Sequence, residues 1–136
     1  MEEATPGRDT ARIARSIGAI TAGFGVLVVA LAILNSAVAR LGLLSTSPTV
    51  RALLGLVPPL VAGVLGGYVS ALLAPGERRW HSAVVGALFL GVAVAAVLRG
   101  ELPPGNALWV GYAMVLAGPV GALAGAALYE RNSTTG

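Results

Sequence analysis

The chain has 136 residues, 56% of them hydrophobic and 11% charged, with a net charge of +3 and no cysteine; a soluble domain carries about 25% charged residues. That balance leaves no room for a separate water-soluble domain and excludes disulfide staples, thiolate metal sites and thiol redox chemistry. A pI near 10.2 does not make the chain a nucleic-acid binder, because the arginines stand singly or in pairs at segment ends with no aromatic-interleaved basic stripe among them.

All nine basic residues, every one an arginine, and all six acids lie outside four uncharged stretches at 16–39, 52–76, 80–98 and 102–129. A helix needs about 20 residues to cross a hydrocarbon core of ~30 Å. The sequence therefore predicts an all-α integral membrane bundle of four transmembrane helices, its two termini on the same side. The lipid bilayer is its solvent.

In chain order, residues 1–15 read as a disordered tail carrying Arg8, Arg12 and Arg15 at near-helical spacing. The first span covers about 16–39. Ala37-Val38-Ala39 fits a small-residue cleavage pattern, but the 18 uncharged residues from Ile17 to Leu34 exceed the ~7–15 of a signal-peptide core, so a retained span is expected. After Arg40, Ser47 and Pro48 read as the N-cap and first position of a helix. Pro58-Pro59 is expected to break that helix, placing 48–56 along the interface and the second span at about 57–74.

The turn at 75–79 leads to a third span at 80–98. Arg99 to Gly105 forms the third loop, and Asn106 reads as the cap of a fourth span at 107–129, which Pro119 should bend. Residues 130–136 read as a loose polar tail. Spans two and four each follow a Pro-Pro pair and carry Gly-x-x-x-Gly, a faint internal repeat. The tails and the second loop hold six arginines and the other two loops hold Arg40, Arg51 and Arg99. This asymmetry predicts cytoplasmic termini in a cell inner membrane. Trp80 and His81 then mark the inner interface, and Trp109 and Tyr112 the outer.

Small residues recur every four positions: Gly63, Gly67 and Ala71 in span two; Ala83, Ala87, Gly91 and Ala95 in span three; Ala113, Ala117, Gly121 and Gly125 in span four. Such stripes allow the close backbone approach that drives helix association in lipid. Internal packing of one bundle accounts for a single stripe; three in a four-helix protein leave surface for a homo-oligomer or a membrane-protein partner. Polar groups within the spans pair by depth. Thr21 is level with Ser70, Tyr68 lies half a turn deeper, and Asn35 is level with Tyr112. Read as structure these are interhelical hydrogen bonds; read as function, Asn35, Thr21 and Ser70 would line a polar path.

Catalysis needs a nucleophile with a base, or converging metal ligands. The chain offers one histidine, no thiol and no carboxylate at membrane depth. It is read as a non-enzyme without a cofactor. His81, beside Arg79 and Trp80, reads as an interfacial residue.

Gly66-Gly67-Tyr68-Val69-Ser70-Ala71, followed by Ala74-Pro75 and a short basic turn, resembles uncharacterised small bacterial four-transmembrane-helix proteins, in which a Gly-Gly-Tyr-x-small-Ala ending closes the second helix. The resemblance implies the bundle plan and no activity. Small multidrug-resistance exporters share the size but carry an embedded glutamate in their first span; here no glutamate lies between Glu3 and Glu77. The expectation is a structural or accessory protein acting through helix–helix association, with an oligomeric passive pore or small-solute transporter as the alternative.

Overall fold

A computed structural model describes residues 6–40, 47–100 and 108–134. It holds four helices, α1 (Pro6–Arg40), α2 (Pro48–Leu73), α3 (Arg78–Leu98) and α4 (Leu108–Thr134), and no strand among the described residues. All four are long and apolar enough to cross a membrane. The chain is an all-α, multi-pass membrane protein.

Three boundaries differ from expectation, each for a local reason. Residues 6–15 are helical and extend α1. Pro6 suits a first helical position, and Asp9 lies in the first turn where the helix dipole favours an acid. α2 runs unbroken through Pro58 and Pro59. Both prolines are buried among neighbouring helices, the setting in which a membrane helix tolerates the carbonyls that proline frees. Ser47 caps α2 as expected, its Oγ accepting from the Val50 amide at 3.4 Å. Residues 130–134 continue α4 rather than forming a loose tail. Ser133 Oγ donates to the Glu130 carbonyl at 2.9 Å, and Thr134 Oγ1 to the Arg131 carbonyl at 2.9 Å. Asn106 and most of the first and third loops lie outside the described residues.

α2 sits centrally. Its most extensive contact is with α4 and its next with α1; α3 packs on α4, α2 and, more lightly, α1. α1 and α4 share no contact among the described residues and so occupy opposite corners of a rhombus whose short diagonal is α2–α3. Leu27, Ala62, Val85 and Phe89 form the core, with Ile20, Phe24 and Leu31 of α1 packed against it. Large apolar side chains such as Ile33, Leu65, Val92 and Leu116 point outward, the arrangement a lipid solvent calls for.

The α2–α4 contact is made by backbone. A Cβ on Gly63 would overlap the Gly118 carbonyl, and one on Gly67 the Ala122 carbonyl. In return, one on Gly121 would overlap the Leu60 carbonyl and one on Gly125 the Val64 carbonyl. Positions 60, 64 and 68 of α2 meet 121 and 125 of α4 in ascending order, so the two helices run parallel. Gly67→Leu is expected to destabilise the fold by about 1–3 kcal/mol through overpacking. Gly91→Leu, at a site with no atom within 4 Å of a built Cβ, should stay within about 0.5 kcal/mol of wild type. Unfolding in mixed detergent–SDS micelles measures both.

Candidate functional site

α2 uses adjacent glycines on two faces. Gly67 and Gly63 meet α4. Gly66 meets α1, where its Cβ would lie 2.6 Å from the Gly23 carbonyl. Reciprocally, a Cβ on Gly23 would stand 2.6 Å from the Ser70 Cβ and 2.7 Å from the Gly66 carbonyl. Here position 23 meets 66 and 70 while Leu27 meets 66, so α1 and α2 run antiparallel. The Gly66-Gly67 pair thus admits a helix on each side of α2.

The small residues expected to pack divide into two groups. Gly63, Gly67, Ala71, Gly121 and Gly125 are buried inside the bundle, and Ala117 is half-buried. Ala87 and Gly91 are exposed, a correction to the expected packing stripe of α3. The face of α3 that packs carries Ser82, Val85, Gly86 and Phe89. Gly86 admits Pro119, whose Cα would lie 3.1 Å from a Cβ there, and the Phe89 ring covers Gly118. The signal available in the sequence was Phe89, a large ring at i+3 and i+7 from Gly86 and Ser82.

The polar groups also separate. Ser70 is fully buried and its Oγ has no hydrogen-bond partner. Thr21 is exposed, so the expected Thr21–Ser70 bond is not made; at that depth the neighbour of Ser70 is Gly23. Asn35 and Tyr112 are both exposed on the opposite-corner helices α1 and α4, and their expected pairing fails for that reason. Thr21 and Asn35 face away from Ser70, so the three do not line one path within a single copy.

Inside the bundle an interhelical hydrogen bond comes from Ser82, whose Oγ donates to the Gly67 carbonyl at 2.8 Å. Position 82 stands out in the sequence only as a serine two residues into span three. Tyr68 meets Tyr129 edge-on, centroids 5.4 Å apart, and the Arg78 guanidinium lies 5.0 Å over the Tyr129 ring. Arg79 grips Glu130 through Nε and Nη2, with contacts of 2.7–3.1 Å. Together these tie the ends of α2, α3 and α4. His81 is buried, its Nδ1 2.8 Å from the Glu77 carbonyl, while Trp80 beside it is exposed. Among the described residues, no group of three His, Asp or Glu side chains converges.

With this geometry in place the class is defined: a multi-pass membrane bundle of four helices. No family model matches the chain, and neither does any curated protein or solved structure.

Ser82→Ala removes an interhelical bond of a kind worth about 0.6 kcal/mol on average, while the Gly67 carbonyl keeps its place in the helical ladder of α2. A loss of about that size is expected. Ser70→Ala removes a buried hydroxyl without a partner, which costs nothing or stabilises. SDS unfolding of the two variants beside wild type measures the contrast.

Proposed function

We propose that this chain is a small accessory protein of the cell inner membrane, both termini cytoplasmic, acting through helix–helix association with a second copy of itself or with another membrane protein. The orientation rests on the arginine asymmetry. The observation that carries the function is the outward face of α1. Gly18, Thr21, Gly25, Val28, Ala32, Asn35 and Ala39 are all exposed, and a built Cβ on Gly18 or Gly25 meets nothing within 4 Å.

These seven residues recur at alternating spacings of three and four, the heptad period of a left-handed helix pair. Small residues at 18, 25, 32 and 39 let a second helix approach, and the polar groups at 21 and 35 gain partners when it does. Two copies of like topology run parallel, so across a two-fold axis each depth meets itself. An amide is both donor and acceptor, which makes Asn35 self-complementary. The exposed small residues of α3, Ala87 and Gly91, offer a further face for a different membrane-protein partner.

The absence of cysteine allows a direct test. Single cysteines at Gly25, Val28 and Ala32 are expected to cross-link between copies in vesicles, whereas cysteines at Val29 and Ile33, equally outward but off the stripe, should not. Asn35→Leu should weaken the dimer by about 0.6–2 kcal/mol, read by detergent-corrected light scattering. Cross-linking without periodicity around α1 would remove the α1 pair, and a monomer throughout would redirect the reading to a partner protein.

A further inference from the structure

α1 is longer than a membrane requires. Its 35 residues extend about 52 Å at 1.5 Å per residue, against ~30 Å of hydrocarbon. The excess lies at its N-terminal end, where the charged residues stand before Ser16. On this overhang Arg8, Arg12 and Arg15 fall within an arc of about 60°. The same arc holds Ala19, and Gly23 lies about 20° beyond its edge; both are buried, with Gly23 set against α2. The arginines therefore continue α1's packing face past the end of the bundle and hang over the C-terminus of α2 and the α2–α3 turn. One contact fixes this placement: a Cβ on Gly76 would lie 3.4 Å from Arg12 Nη2, so the guanidinium rests on the bare backbone of the turn.

The surroundings are cationic and short of acids. α2 has no basic residue in its own last turn, and α3 has no acid in its first, where Arg78 and Arg79 sit instead. The Glu77 side chain makes no cap hydrogen bond. Glu130 is occupied by Arg79. Arg78 lies on the Tyr129 ring and helps Arg79 hold the Glu130 carboxyl below its ordinary value, and among the described residues no carboxylate forms an ion pair with Arg8, Arg12 or Arg15. Asp9 and Glu77 are the acids close in sequence to Arg8, Arg12, Arg15 and Arg78. On the membrane side Leu72 and Leu73 at the end of α2 are exposed, as are Ile13 and Ile17 farther round α1 and Trp80 at the start of α3.

We propose that this end of the bundle binds the headgroup of an anionic phospholipid, its phosphate held by Arg12 over Gly76 with Arg8, Arg15 and Arg78 around it. Charge complementarity selects the anion, since arginine's planar fork of donors matches phosphate oxygens. The apolar side chains beneath select a lipid over a soluble phosphate, because they offer acyl chains a surface continuous with the headgroup site. The inference rests on the membrane-spanning fold and is independent of association through α1's outer face.

The test uses full-length protein in neutral maltoside micelles, titrated with phosphatidylglycerol and with phosphatidylcholine of the same chains. Bound lipid is counted by native mass spectrometry. Wild type is expected to prefer phosphatidylglycerol by at least about tenfold, and Arg12→Gln and Arg78→Gln to lower the preference by about fivefold each. Gly76→Glu, which keeps every arginine and supplies Arg12 with a competing carboxylate, should abolish it. Gly76 does not have a positive φ, so this variant introduces no backbone strain. Arg99→Gln, at the opposite end, should leave the preference within twofold, and excess sodium phosphate should not displace bound lipid. Equal binding of both lipids, equal loss with Arg99→Gln, retention in Gly76→Glu, or displacement by inorganic phosphate alone would overturn the proposal.

Discussion

The bundle depends on two backbones touching. In lipid no hydrophobic force draws helices together, so association relies on close packing, dispersion and polar contacts. Gly63 and Gly67 on α2 and Gly121 and Gly125 on α4 remove the side chains that would hold the helices apart. The rest follows from that contact. With Gly67 committed to α4, the next residue on α2 that lacks a side chain, Gly66, faces the other way and admits α1 at Gly23. α2 becomes the shared element, and α1 and α4 are driven to opposite corners. α3 closes the gap by laying Phe89 over Gly118 and Gly86 against Pro119. The glycine contact also brings the Gly67 carbonyl within reach of Ser82, so the buried hydrogen bond depends on the packing rather than creating it.

At the end bearing both termini, contacts of a different kind fix the helix register. The Arg79–Glu130 pair is exposed on the arginine side, and exposed pairs contribute little by themselves. Its bidentate geometry nonetheless aligns the start of α3 with the end of α4. The Tyr68–Tyr129 edge contact aligns α2 with α4 at the same level, and Arg78 stacked on Tyr129 adds a second link between α3 and α4. Arg78, Arg79 and Glu130 lie just past the uncharged stretches, where water begins to compete, and Tyr129 closes the last of those stretches. They select one arrangement of ends for a bundle whose affinity resides deeper in the membrane.

The number of helices and their approximate limits were legible because fifteen charged residues cannot be hidden in hydrocarbon, and their positions mark the boundaries. The glycines of α2 and α4 were legible as packing residues because Gly-x-x-x-Gly has little other use in a helix facing lipid. What could not be read was azimuth. Depth follows from counting along a helix, and Thr21 and Ser70 are level; which way each points depends on neighbours that sequence does not place. In a soluble protein the polar face reveals the outside, but in lipid both faces are apolar, so the exposed Ala87–Gly91 row and the packed Gly86–Phe89 row look alike. The Pro58-Pro59 break failed for a related reason. Proline's cost in a helix depends on whether neighbours shelter the freed carbonyls, and the shelter is tertiary.

α1 stands apart from the other three helices, and its two faces explain how. Measured from Arg12, the arc holding Arg8, Arg15, Ala19 and Gly23 and the arc holding Gly18, Thr21, Gly25, Ala32 and Asn35 are centred about 150° apart. The first is turned to α2 and, beyond the bundle, to the α2–α3 turn; the second is turned to lipid. A corner helix without contact to α4 has more free circumference than α2, and on α1 that circumference carries an intramembrane amide and a hydroxyl rather than leucine. Because the faces are opposed, an anion held against the arginines does not obstruct a helix docking outside. It would stiffen the overhang by tying Arg12 to the turn at Gly76, so that the outer stripe is presented by a helix fixed at its N-terminal end. The drift of about 20° per heptad between a 3.5 and a 3.6 repeat then requires any helix paired along that stripe to supercoil around α1 with a left hand.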